Sequence, residues 1–232
     1  MRHLFLLAAL FCACISYAQI RVQERLPKSK TGFALTTAKT RAKIYYDVND
    51  ALVIKRSAEL FARDIQMVTG QKPELIQKRE RAKALVIVGT IEKNQWICEL
   101  AQKGKIDIRP LQGAWERYLI QTVDNPSPGV AKALVIAGSD RRGAAYGLFS
   151  ISEMMGVSPW YWWGDVPVKT HKALYVDAPP TYSKTPSVKY RGIFLNDEDW
   201  GLKPWAAKTF EKERGNIGPR TYAKICELLL RL

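Results

Sequence analysis

The sequence predicts a layered α/β domain with a mixed sheet, followed after a proline-rich hinge by a second, incomplete β/α unit. Three observations carry this. Ala84–Val88 and Ala133–Ala137 are short, wholly apolar runs, the pattern of strands covered on both faces. Each leads into a helix-forming stretch, and strands that alternate with helices pair in parallel within a layered fold. Prolines then cluster at Pro179, Pro180 and Pro186, and beyond them the character of the chain changes.

Taken in order, Met1-Arg2-His3 and the apolar run Leu4–Ile15 precede Ser16-Tyr17-Ala18, which reads as a signal peptide over 1–18 cleaved after Ala18. The chain is therefore expected to be exported, to the periplasm or the medium. Neither Cys12 nor Cys14 follows a good lipobox, which weakens a lipoprotein reading. Residues 19–32 are polar and basic, an extended lead-in, and the first domain is expected over 33–180.

Within that domain Lys43–Tyr46 reads as a strand. Asn49-Asp50 then caps a helix carrying Val53, Leu60, Phe61, Ile65 and Val68 at helical spacing and stopped by Gly70. The first buried strand ends at Gly89, and a helix follows over 95–102. Trp115–Val123 alternates as a strand, and Asn125–Gly129 is a loop. After the second buried strand, Gly138-Ser139-Asp140 turns into a helix capped by Asp140. Ala144, Leu148, Ile151 and Met155 share its inner face, and Gly156 is its stop. A linker is expected over 181–187. Tyr190–Leu195 then reads as a strand, and Pro219 opens a helix toward Leu232. One strand, one loop and one helix are a single repeat of a β/α barrel. A barrel needs about 250 residues, so 188–232 reads as the start of a truncated TIM (β/α)8 barrel.

Composition sets the function classes. With 47% hydrophobic residues spread along 232 positions, the chain can bury a core. A formal net charge of +14 favours acidic partners, and in an exported protein these are uronic-acid-bearing glycans or the cell envelope. Scattered cations that merely solvate the surface are the alternative reading. No nucleic acid is expected, because no binding motif accompanies the charge. No membrane span is expected either, since no segment past the signal approaches about 20 apolar residues. Past the signal only Cys98 and Cys226 remain, too few for a disulfide framework, and both are expected as buried thiols. No cofactor is expected: zinc spacing, phosphate loop, serine triad and dinucleotide fingerprint are all missing from the sequence.

Two stretches carry candidate chemistry. Ser158–Pro167 holds Trp160, Tyr161, Trp162 and Trp163, with Asp165 beside them. Aromatic faces stack on sugar rings and a neighbouring carboxylate accepts from hydroxyls; in an extended chain the four rings would alternate between a cleft and a packed side. Packing of all four is the alternative. Asn196-Asp197-Glu198-Asp199 follows the expected strand at its C-terminal end, where barrels open their active face. Ordinary turn chemistry is its alternative. Arg141 and Arg142 read as solvated charge rather than an anion site, because Asp140 already caps that helix.

Three motifs carry a resemblance: Gly138-Ser139-Asp140-Arg141-Arg142-Gly143 through Tyr146-Gly147, Ser158–Pro167, and Tyr190-Arg191-Gly192-Ile193-Phe194-Leu195-Asn196-Asp197-Glu198. Together with Lys224-Ile225 and Glu227–Leu232, they make the chain resemble glycoside hydrolase family 115, the xylan α-glucuronidases. The resemblance implies an inverting hydrolase that removes glucuronic acid or its 4-O-methyl ether from glucuronoxylan. It places Asn196 and Asp197 against the uronic acid, with Asp197 also a candidate catalytic carboxylate. Glu198, Trp160, Trp163 and Asp165 are further candidate substrate contacts. Inversion needs an acid and a base about 6.5–9.5 Å apart, and the family's general acid lies on a later strand, outside this chain. The fragment alone is then expected to be inactive. Cys226, where an aromatic is usual, and the basic Lys212 and Arg214 depart from the pattern. Two rival readings are an exported, non-catalytic carbohydrate-binding module and a hexosaminidase-like hydrolase acting on N-acetylhexosamines.

Overall fold

The computed structural model describes residues 19–232, and the signal-peptide reading of 1–18 lies outside them. Nine strands are present among the described residues: β1 Arg21–Gln23, β2 Gly32–Thr36, β3 Lys43–Tyr46, β4 Leu75–Ile76, β5 Ala82–Thr90, β6 Tyr118–Ser127, β7 Val130–Gly138, β8 Leu174–Asp177 and β9 Thr181–Tyr182. The helices are α1 Leu52–Thr69, α2 Gln95–Gln102, α3 Arg141–Met154, the short α4 Leu202–Trp205 and α5 Pro219–Arg231.

The main sheet has the order β4-β3-β5-β7-β6-β9. β4, β3, β5 and β7 run parallel, while β6 is antiparallel to both its neighbours, β7 and β9, so the sheet is mixed as predicted. Its apolar runs divide by pleat between two cores. Val86, Val88, Leu134 and Ile136 face a layer of α1 and α3 with Ile54, Phe61, Leu148 and Ile151. Leu85, Ile87, Ala133 and Val135 face α2 through Trp96, Ile97 and Leu100. Burial on both sides is why these runs carry no polar alternation. A second, three-stranded antiparallel sheet, β1-β8-β2, adds Phe33, Leu35 and Val176 to the first core. Its strands are too short for periodicity to reveal.

Local chemistry explains the joins. Asn94, fully buried, caps α2 by accepting from the amides of Trp96 and Ile97, both at 3.1 Å. Its own amide group donates to the Val88 carbonyl at 3.0 Å, and a Cβ at Gly89 would stand 2.4 Å from that nitrogen. Asp140 caps α3 as predicted, accepting from Arg142 and Gly143 at 2.9 and 2.8 Å. Gly143 lets α3 approach β6 closely: a Cβ there would lie 2.2 Å from the Arg117 carbonyl oxygen.

Five expectations need correction. Asp50 does not cap α1, which starts behind Ala51; its carboxylate instead accepts from the Thr90 amide at 2.7 Å, tying the helix start to the end of β5. The loop expected over 125–129 is mostly strand, because β6 continues to Ser127 through a register shift and only Pro128-Gly129 turn. Residues 158–164 form turns rather than an extended run, closed by Gly164 N–H donating to the Trp160 carbonyl at 2.7 Å. Tyr190–Leu195 makes no ladder with either sheet, and Phe194 is 93% exposed where packing was expected. Strand geometry there has no neighbouring backbone to pair with. Cys226 is exposed and Cys98 partly buried; neither is in a disulfide.

Candidate functional site

The polar tetrad is a tight corner ahead of α4. The Asn196 carbonyl accepts from the Leu202 amide at 2.8 Å and the Glu198 carbonyl from the Gly201 amide at 3.0 Å. A Cβ at Gly201 would fall 2.3 Å from the Asn196 oxygen, so the corner requires glycine there. The side-chain oxygen Oδ1 of Asn196 is buried without a hydrogen-bond partner, an acceptor held out of water with nothing to accept. The Asp197 carboxylate accepts from the Tyr222 hydroxyl, on the first turn of α5. That same bond raises the Tyr222 phenol above its usual range. Glu198 is exposed. Asp199 pairs with Lys203 one turn on at 2.6 Å, which holds its carboxyl below the usual range.

The start of α5 is fixed by one carboxylate. Glu211 accepts from the amides of Gly218, Thr221 and Arg220 and from the Thr221 hydroxyl, at 2.9, 3.0, 3.3 and 2.6 Å. Burial works to raise its pKa, but these donors prevail and it stays lowered. A capping carboxylate at a helix N-terminus also meets the positive end of the helix dipole.

The tryptophan turn serves mainly as packing. Trp162 meets Trp163, Trp205 and Phe210 edge-on, with centroids 4.7, 5.9 and 4.9 Å apart. Trp163 also contacts Trp205 at 5.7 Å and donates its indole N–H to the Lys224 carbonyl at 3.3 Å. Trp163 thus reaches the tetrad's neighbourhood through α4 and α5. Trp160 is 47% exposed, and Asp165 is exposed in a left-handed conformation with φ 49°.

Two ionic networks that the sequence reading missed hold this corner to the first domain. In one, Glu116, 2% exposed with φ 55°, receives Arg142 at 2.6 Å and Arg191 at 2.5 Å on its two oxygens. Arg142 is therefore not simply solvated, and Arg191 anchors the segment that leads into the tetrad. In the other, Arg231 makes a bidentate pair with fully buried Asp64, both contacts at 2.8 Å, and reaches Glu227 at 2.9 Å. Arg63, Lys224 and the Tyr161 hydroxyl also point at Glu227. Burial works to raise the Glu227 pKa, but the three cations prevail and lower it. Burial, then the Glu227 charge, pushes the Tyr161 phenol up. One signal was available: Asp64 sits three residues past Phe61 on the apolar face of α1, where a carboxylate needs a partner.

Among the described residues no group of His, Cys, Asp and Glu is arranged to hold a metal ion, and no helix is long and apolar enough to cross a membrane.

These features align with known proteins. A sequence model described as glycosyl hydrolase family 115 matches residues 183–232, the stretch that contains Arg191 and the whole tetrad. The solved structure of BtGH115A, described as a family GH115 4-O-methyl-α-glucuronidase with specificity for decorated arabinogalactans, is 36% identical with a TM-score of 0.70. The match covers 86% of this chain and 24% of that one. The chain belongs to glycoside hydrolase family 115, has the mixed α/β fold of that structure, and spans about a quarter of its length. CpGH84D, at 12% identity and a TM-score of 0.40, covers 69% of this chain and 22% of its own. A GH20 β-N-acetylhexosaminidase from Streptomyces coelicolor A3(2), at 13% and 0.41, covers 84% and 31%. No curated protein matches the sequence.

Proposed function

We propose that this chain is the N-terminal part of an exported, inverting α-glucuronidase that releases glucuronic acid or 4-O-methylglucuronic acid from glycan side chains. Its likeness over 86% of its length to a 4-O-methyl-α-glucuronidase carries the reading. Residues 188–232 act as the first β/α unit of a catalytic barrel. The exposed apolar side chains of Tyr190, Phe194 and Trp200 support this, since such surface is normally covered by further structure.

Asn196 and Asp197 contact the uronic acid: the unpaired Asn196 oxygen accepts a sugar hydroxyl, and Tyr222 orients the Asp197 carboxylate toward the ring or the attacking water. Glu198, Trp160, Trp163 and Asp165 are secondary contacts. The general acid comes from a later strand. For the backbone that bears the uronic acid, xylan follows from the motif resemblance. The specificity described for BtGH115A favours a second reading, decorated arabinogalactan.

The test is uronic acid release from glucuronoxylan and from glucuronidated arabinogalactan. A polypeptide joining this chain to the remainder of a family 115 enzyme should release it, and Asp197→Ala should cut kcat by about a hundredfold or more. Residues 19–232 alone should release none. Turnover by that segment would overturn the placement of the acid, and full turnover by Asp197→Ala would remove Asp197 from the site.

A further inference from the structure

At the other end of the sheet, where β5 and β7 begin, lies an open basin of about 780 Å³, in the range of small-ligand sites. Arg81, Lys83, Lys103 and Lys105 line it together with the hairpin tip 125–129, and no carboxylate does. The β5 strand, nine residues long, separates this end from the end where Arg191 meets Glu116, roughly 26 Å at the usual rise. The basin is therefore distinct from the tetrad.

Two of its cations are placed by the backbone. Lys105 donates its ammonium to the carbonyls of Asn125 and Asp124 at 2.7 and 3.3 Å, which fixes its position while leaving its full charge uncompensated. The stem of Arg81 lies over Gly129: a Cβ there would meet Arg81 Cγ at 2.9 Å, and the residue has φ 83°. The glycine that the turn requires is also what lets the arginine cross it. Arg81 and Lys83 have no ion-pair partner among the described residues. Lys103 pairs with Glu99 at 3.9 Å, a carboxylate that also holds Arg79 at 2.7 Å, and Asp124 pairs with Lys132 at 3.1 Å. The C-terminus of α2 brings only about half a negative charge against Arg81, Lys83 and Lys105, the three lining cations without an acid partner among the described residues.

We propose that this basin is an accessory binding site for an acidic oligosaccharide, with Arg81, Lys83 and Lys105 contacting its uronate carboxylates. The choice of glycan rests on the function proposed above. Held at a distance from the tetrad, such a site would keep a polyanionic chain on the protein between encounters with the reacting corner.

The experiment is a titration of the chain, followed by amide chemical shifts, with a glucuronic-acid-bearing oligosaccharide, with the same oligosaccharide lacking the acid, and with inorganic phosphate. Shifts at Lys83, Lys105 and Gly129 with the acidic sugar alone are expected. Arg81→Glu with Lys83→Glu, both exposed, should weaken that binding about a hundredfold, about tenfold for each cation replaced. Lys105→Met, which leaves the turn glycine intact, should weaken it about tenfold. Equal binding of the neutral sugar, or phosphate shifting the same amides equally, would overturn the proposal. So would shifts confined to Asn196–Glu198, although that outcome would support the function proposed above. Shifts at the basin with none at the tetrad would uphold the accessory site and count against the tetrad.

Discussion

Replacing Asp64 by alanine should undock α5 from the first domain. The Arg231 side chain is 2% exposed and holds Asp64 through two 2.8 Å contacts, with its guanidinium 4.7 Å from the Phe149 ring centroid. Breaking a buried pair by removing one partner costs about 3–5 kcal/mol, because the remaining charge is stranded. Here Glu227 stays 2.9 Å from Arg231, so the stranding is partial and the lower end, ~3 kcal/mol, applies. The loss is local to α5. The assay is therefore amide hydrogen exchange, in which ~3 kcal/mol speeds exchange of the α5 amides about a hundredfold while α1 and β5 change little. Combining Asp64→Ala with Arg231→Met removes both charges and should recover most of the protection, leaving Glu227 paired with Arg63 and Lys224. An acceleration under about fivefold, or a double variant as loose as the single one, would show that packing and not this pair docks the helix.

Glu116→Gln should free Arg191, because a neutral amide cannot balance both guanidiniums; hydrogen bonds to charged groups contribute about 1.5–3 kcal/mol. Trypsin should then cleave after Arg191 several times faster, while circular dichroism stays unchanged. Acid should act through Glu227. Its folded pKa lies below the ordinary 4.5, so its contribution is complete above pH 4.5 and is lost as pH falls from there through the lowered value. Tryptophan fluorescence from the Trp162, Trp163 and Trp205 cluster should report α5 loosening below pH 4.5, and Glu227→Gln should abolish that part of the pH dependence.

What could be read from the sequence was local. Helix α3 follows from Asp140 and its periodic apolar residues, and β5 and β7 from runs that no exposed strand would tolerate. The three-stranded sheet was not legible, because three to five residues offer too little periodicity and its pairing joins residue 21 to residue 177. The strand expected at Tyr190–Leu195 shows the converse limit: propensity describes what a segment can pair with, and a ladder forms only where a partner backbone lies beside it. At the candidate site the tetrad itself was legible from its place after an apolar run. Its supports were not, since Glu116 with Arg191 and Asp64 with Arg231 are 75 and 167 residues apart.

Those supports explain how an exposed corner is held in one place. Three acids fix it at separate points: Glu116 grips Arg191 ahead of the tetrad, Glu211 closes the first turn of α5 behind it, and Asp64 holds the far end of α5 through Arg231. Each acid is buried and each opposes donors it cannot leave without stranding a charge or an amide. Between these points Asn196 and Asp197 have little freedom, and Tyr222, carried on the helix that Glu211 starts, bonds the Asp197 carboxylate directly. The position of the tetrad is thus set largely from the first domain, so substitutions there should shift the Asp197 carboxylate without touching it.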